Sequence, residues 1–124
     1  MVKVVTLDEA KPVKHPDWLK KAGIKDFYEM IMVDKDTAGS NDLMLVYGVI
    51  APGGTGGAPV RHDIDEVAFV IEGELTYIVE GKEYKVGPNM AIYIPAGESH
   101  LAENKGDKTV RRLQFMRLKQ ERIG

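Results

Sequence analysis

The stretch Gly54-Thr55-Gly56-Gly57-Ala58-Pro59-Val60-Arg61-His62-Asp63-Ile64-Asp65-Glu66-Val67-Ala68-Phe69-Val70-Ile71-Glu72-Gly73 decides how this chain is read. Its second half is a strand: Val67, Phe69, Val70 and Ile71 are β-branched or aromatic, and Gly73 ends the run. On such a strand Glu66 shares its face with Ala68 and Val70, side chains small enough to leave room inside a barrel. The first half reads differently. Pro52 to Pro59 brackets four glycines with prolines, a pattern expected to be a loop, and it lacks the Lys-Ser/Thr that would make it a phosphate cradle. Between the halves, Arg61-His62-Asp63-Ile64-Asp65-Glu66 is dense in potential ligands. On one straight strand His62 and Glu66 would sit about 13 Å apart at roughly 3.3 Å per residue, too far to share an ion. The chain is therefore expected to bend at Asp63 to Asp65, so that both side chains face one spot.

Outward from this stretch the sequence keeps the same texture. Short segments rich in Val, Ile, Tyr and Thr predict strands over Val2–Thr6, Phe27–Val33, Leu43–Ala51, Glu66–Ile71, Glu74–Glu80, Glu83–Val86, Met90–Ile94, Ser99–Asn104 and Thr109–Leu118. Nine short strands predict an all-β sandwich or barrel. The one helix expected is a short N-terminal cap around Pro16 to Ala22, with Gly23 just past its end. Hairpin turns are expected at Glu80-Gly81, where Gly81 suits a type II′ loop, and at Glu72-Gly73. The 124 residues make one domain, and the 44% hydrophobic and 29% charged composition is that of a folded globular chain. A formal charge of -2 gives no general attraction to nucleic acid or anionic membrane, and the basic tail of Arg117, Lys119 and Arg122 is offset by the acidic residues elsewhere. The chain has no Cys, so thiolate metal sites and cysteine nucleophiles are excluded. No apolar run approaches the roughly 18 residues of a membrane span, and a cytoplasmic soluble protein is the expectation.

A second stretch, Asn89 to Asn104, places Asn89, Pro95, Gly97, His100 and Asn104 at fixed intervals. Together with Gly54, Val60, His62, Glu66 and Gly73 it resembles the two motifs of the cupin superfamily, in the right order and at the spacing of a small single-domain member. The resemblance covers roughly Leu43 to Leu118 and implies a double-stranded β-helix, the cupin jelly-roll barrel. Two positions depart from the family pattern. Val60 stands where the first motif usually has a His, and Asn89 stands at the usual Gly, a substitution that Asn tolerates because it enters the left-handed region more readily than other residues.

The resemblance implies a divalent metal ion, of the Fe, Mn, Ni or Zn kind, held by His62, Glu66 and His100. It leaves open whether Asp63 or a water replaces the missing first ligand. Neutral imidazoles bind metal, so affinity is expected to weaken below about pH 6.5. Tyr47, Tyr77, Tyr93, Arg112 and Gln114 are the pocket residues expected from their place on strands near these ligands, with Phe115 and Met116 as further large side chains there. An inward Arg112 or Gln114 would favour an anionic or polyhydroxylated ligand. His15 stands apart in a polar stretch. The chain is expected to divide into an N-terminal arm over 1–42, a barrel over 43–118 and a tail over 119–124. The resemblance also implies a homodimer in which Val2–Thr6 joins the partner's sheet. Two functional readings follow: an enzyme acting on a small polar or carboxylate-bearing molecule by dioxygenase, isomerase or lyase chemistry, or a non-catalytic small-molecule binding or sensing domain, with or without metal, in which Val60 would mark a lost ligand.

Overall fold

The computed structural model describes residues 1–118, so the tail expected over 119–124, with Lys119 and Arg122, lies outside the described residues. The elements run in order as a 3-10 turn (Leu7–Glu9), β1 (Lys11–Pro12), α1 (Asp17–Lys21), β2 (Lys25–Val33), α2 (Lys35–Ala38), β3 (Leu43–Thr55), β4 (Glu66–Glu72), β5 (Leu75–Val79), β6 (Lys82–Val86), β7 (Ala91–Ile94), β8 (His100–Glu103) and β9 (Val110–Arg117). Every strand pairing is antiparallel. One layer carries the order β1-β2-β3-β9-β4-β7 and the other β6-β5-β8, and together they make the nearly closed jelly-roll barrel expected from the sequence. No helix among the described residues is long and apolar enough to cross a membrane.

β3 joins the two layers. Its first part, Leu43 to Ile50, pairs with β9 on one side and β2 on the other, whereas Thr55 pairs with Glu103 of β8. Pro52, Gly53 and Gly54 thus belong to a strand, and the loop expected from Pro52 to Pro59 starts only after Thr55. The backbone packs too closely at Gly54 for a side chain, since a Cβ there would lie 2.5 Å from the Asp26 carbonyl, whereas Gly53 sits in open space and is selected by its φ of 82°. Asn104, the last residue of the second motif, locks this crossing. Buried to 2% exposure, it donates to the Ile50 and Lys108 carbonyls at 3.0 and 2.8 Å and accepts from Gly106 N–H at 3.0 Å.

The period-2 burial of β4 is as expected, with Glu66, Ala68 and Val70 inward and Val67 and Phe69 exposed. Ile50, Val70, Leu75 and Val110 form the driest part of the core, each at 0% exposure. Four local expectations are corrected. Val2–Thr6 is not a strand: its Val2 and Val4 are exposed, and Glu9 folds back to accept from Thr6 N–H at 3.1 Å, which starts the 3-10 turn and moves the first pairing to Lys11–Pro12. A second helix, α2, forms because Asp34 caps the N–H groups of Asp36 and Thr37 and Gly39 closes it in the left-handed conformation. The Glu80-Gly81 turn is type I′ and not II′, since both residues have positive φ, at 47° and 80°. Glu72-Gly73 is no hairpin, because β4 pairs with β7 and β9 while β5 pairs with β6 and β8, so this turn crosses between layers. Asn89 takes the left-handed conformation foreseen for it, at φ 65°.

Gly73 and Gly81 share nearly the same φ, 78° and 80°, but differ in surroundings: a Cβ on Gly73 would meet Thr109 O at 2.7 Å, whereas one on Gly81 meets nothing within 4 Å. Urea denaturation should therefore show Gly81→Ala losing about 1–2 kcal/mol, the strain of the left-handed conformation alone. Gly73→Ala should lose roughly 2–4 kcal/mol, because backbone overlap adds to that strain. Equal losses would contradict the packing described for the interlayer turn.

Candidate functional site

The two motif segments are brought together by their backbones. Val60 and His100 form a two-way bridge, each N–H donating to the other's carbonyl at 2.9 Å, and Gly97 N–H donates to the His62 carbonyl at 2.8 Å. Asp65 Oδ1 accepts from Ala96 N–H at 2.8 Å, which fixes the bend expected between His62 and Glu66. His62 therefore faces the ring of His100, with centroids 5.2 Å apart and planes tilted by 51°. One donor atom from each of His62, Glu66 and His100 falls within a 4.8 Å group, the only such group of three or more His, Asp or Glu among the described residues. Asp63 is exposed and stands outside the group.

Glu66 is 4% exposed and His100 7%. The Glu98 carbonyl can only accept, so its contact with His100 Nδ1 at 3.1 Å puts a proton on that nitrogen. In a neutral ring Nε2 then carries a lone pair, and it lies 2.8 Å from Glu66 Oε1. Oε1 is buried and makes no aligned hydrogen bond. Two acceptors this close in a buried place repel unless a cation or a proton sits between them. Burial acts most strongly on His100 and disfavours its charge, but the Glu66 carboxylate and the Glu98 carbonyl outweigh it and raise the pKa above the ordinary 6.5. The donor set suits a divalent ion: two imidazoles and one carboxylate, each bonding at about 2.0–2.2 Å, with positions left open for other ligands. Bonds of that length set neighbouring donor atoms roughly 3–3.4 Å apart around one ion, so the 4.8 Å group would draw together on binding.

Glu66 is also the end of a buried polar chain. Gln114 donates from Nε2 to Glu66 Oε2, its Oε1 accepts from Arg112 Nη1 at 2.8 Å, and Arg112 Nη2 donates to Glu29 Oε2 at 2.8 Å. Gly48 makes this reach possible. It stands between Glu29 on β2 and Arg112 on β9 in register, and a Cβ there would press on Arg112 Cγ and Cζ at 3.4 Å. The guanidinium lies 5.5 Å above the Phe27 ring and is 3% exposed, with Nε left without a partner.

These groups line one cavity of about 660 Å³, within the range of small-molecule sites. Its walls are mostly apolar, from Trp18, Ile24, Phe27, Met44, Val46 and Leu101, and Val60 faces it as well. Of the expected pocket residues, Tyr77, Arg112, Gln114 and Met116 line the cavity. Tyr47 does not: it alternates with the inward Val46, and its hydroxyl accepts from Arg111 Nε at 2.5 Å on the outer face. Tyr93 and Phe115 are likewise outward, at 60% and 43% exposure. The sequence reading missed His15, Trp18 and Glu29, all on the cavity wall and all from the N-terminal third.

A family model described as a cupin domain matches residues 46–115. Among solved structures, the polyketide cyclase RemF from Streptomyces resistomycificus superposes with a TM-score of 0.78 at 25% identity, covering 98% of this chain and 83% of that one. A protein described as a predicted oxalate decarboxylase from Thermotoga maritima superposes at 0.74 and 20% identity, covering 94% of this chain and 100% of that one, a likeness of fold. A curated relative, the endoribonuclease YbeY of Myxococcus xanthus, is 33% identical over 67 residues, or 54% of this chain. The match spans only 23% of that relative's length.

Protons and metal compete for His100 and Glu66. Acid fills the site with protons, and because His100 titrates above 6.5, metal loss should begin at a higher pH than for an unperturbed imidazole. Calorimetric titration with Zn(II) or Mn(II) should show affinity falling as pH drops below neutrality, and an affinity flat from pH 8 to 5 would contradict the assignment of His100 as a ligand.

Proposed function

Because this chain belongs to the cupin-domain family, we propose that it is a metal-dependent enzyme acting on an oxygen-bearing organic molecule with an apolar, aromatic-rich body. The observation that carries this reading is a three-donor group of His62, Glu66 and His100 on the wall of a roomy cavity whose other walls are mainly apolar. A ligand's apolar part would lie against Phe27, Val46 and Leu101, and its oxygens would turn toward Gln114, Tyr77 and the three donors. Arg112 is neutralised by Glu29 and shaped by Gly48, so it holds Gln114 and Glu29 in place and is not a free anion receptor. When bound, a divalent ion of the Fe, Mn, Ni or Zn kind supplies Lewis-acid polarisation of a substrate oxygen or a centre for oxygen chemistry.

Isomerase or lyase chemistry, in which a polarised carbonyl is rearranged without an oxidant, is the reaction type favoured here, ahead of dioxygenase chemistry. The likeness to a polyketide cyclase over 98% of this chain, together with the apolar cavity walls, supports a polyketide-like ligand over a small, wholly polar one. One observation favours the alternative of a metal-free binding domain: Val60 occupies a cavity-facing position where an imidazole would complete a four-ligand set.

Elemental analysis of untagged protein, purified without added metal, separates the two. The enzyme reading expects near one equivalent of a single transition metal per chain, and a drop of at least about tenfold in metal affinity for folded Glu66→Gln and His100→Ala proteins. Metal-free protein that resists reconstitution would leave the binding-domain reading in its place.

The proposal extends to assembly. Val67, Phe69, Tyr93 and Phe115 form an apolar group on the outer face of β4, β7 and β9, where Val67 pairs with both Tyr93 and Phe115. This face and the exposed Val2 and Val4 are the surfaces through which a homodimer would form. Light scattering after size exclusion should give twice the 13.8 kDa chain mass, and a single 13.8 kDa species would overturn the dimer.

A further inference from the structure

Beyond the three candidate ligands, the cavity holds one further imidazole and one further carboxylate, His15 and Glu29. Backbone pairing brings them together. Lys11 and Pro12 pair with Ile31 and Met30, and Val13 N–H donates to the Glu29 carbonyl at 3.0 Å. His15 follows two residues later, just before Pro16 starts α1. Its Nε2 is thereby held 3.8 Å from Glu29 Oε1, with the two side chains 20% and 13% exposed. The other Glu29 oxygen is fixed by Arg112 at 2.8 Å, so the carboxylate cannot turn away.

A carboxylate anchored on one oxygen and facing an imidazole nitrogen with the other is an arrangement that orients histidine for proton transfer. An acceptor beside Nε2 favours a proton on that nitrogen and leaves Nδ1 with the lone pair. The separation is longer than a hydrogen bond, as such pairs often are before a ligand binds. Tyr77 adds a donor. It is 4% exposed as a residue and lines the same cavity, and its hydroxyl, which makes no hydrogen bond to the described residues, opens onto that cavity. A hydroxyl facing the cavity is free to donate to a ligand oxygen. Burial raises the Tyr77 pKa, with Arg112 opposing, so the phenol keeps its proton.

We propose that His15 is the catalytic base of this cavity, that Glu29 is its positioning residue, and that the substrate carries a C–H bond next to a carbonyl. His15 takes the α-proton, the C–H electron pair forms the C=C bond of an enolate, and the carbonyl π pair moves onto oxygen, which accepts a hydrogen bond from Tyr77. The imidazolium returns its proton to that oxygen or to another carbon of the enolate system. Atoms and electrons balance without any oxidant or reductant. The substrate class rests on the enzyme reading above, whereas the proton transfer itself uses only His15, Glu29 and Tyr77.

The test follows exchange of the α-protons of 2-tetralone, an aromatic ketone, for deuterium in D₂O by proton NMR. Protein as purified and protein treated with EDTA are compared. Wild type should accelerate exchange over buffer. His15→Ala should lose about a hundredfold of that acceleration, the size of a positioned acid–base group, and added imidazole should restore it. Glu29→Gln should lower kcat with KM nearly unchanged, with folding of each variant checked by thermal melting. The proposal is overturned if wild type gives no acceleration, if folded His15→Ala matches wild type, or if imidazole fails to rescue it. His62→Ala and His100→Ala report separately on the metal: if they bind as much metal as wild type, the metal reading fails while a His15-dependent exchange stands.

Discussion

A carboxylate held at 4% exposure beside an imidazole nitrogen is the condition that the rest of this structure serves. Removing Glu66 from water is costly unless its charge is met, and the fold meets it from several sides. His100 is placed by the Val60–His100 bridge, Gln114 covers the second oxygen, and Arg112 sets Gln114. Arg112 in turn is a buried cation that needs Glu29 from β2, three strands away from Glu66 in the order β2-β3-β9-β4. Gly48, with no side chain, lets the guanidinium cross the intervening strand. One buried negative charge therefore ties both motif segments to the N-terminal third of the chain.

Much of the barrel was legible in the sequence because its signals are local. The alternation from Glu66 to Val70, the turn residues at Asn89 and Gly81, and the two spaced motifs each depend on a few adjacent residues. What was not legible depended on partners far along the chain. Pro52 to Gly54 looks like a loop because prolines and glycines avoid ordinary strands, yet where β3 switches from β9 to β8 the close approach of Asp26 selects Gly54 and a φ of 82° selects Gly53. Val2–Thr6 has strand-like alternation but no strand partner among the described residues, and the Thr6–Glu9 turn intervenes.

The site divides in the same way. His62, Glu66 and His100 could be named because their spacing is set by two short motifs. The face of each tyrosine could not, since it depends on strand register: Tyr77 is inward, whereas Tyr47 and Tyr93 are outward. His15 and Glu29 carried no sequence signal of their own. They lie 14 residues apart, and 83 residues separate Glu29 from Arg112, so only the folded chain shows them as one cluster. The Asp34-x-x-Thr37 cap ahead of Gly39 was a readable helix signal, but only one helical turn follows it.

The central claim is that His62, Glu66 and His100 converge on one metal ion in this cavity. Anomalous diffraction from crystals grown with Mn(II), collected near the metal's absorption edge, tests it directly. The account predicts one strong peak within about 2.0–2.3 Å of an imidazole nitrogen from each histidine and of a Glu66 oxygen. No peak at these residues, or a peak held by other side chains, would contradict it.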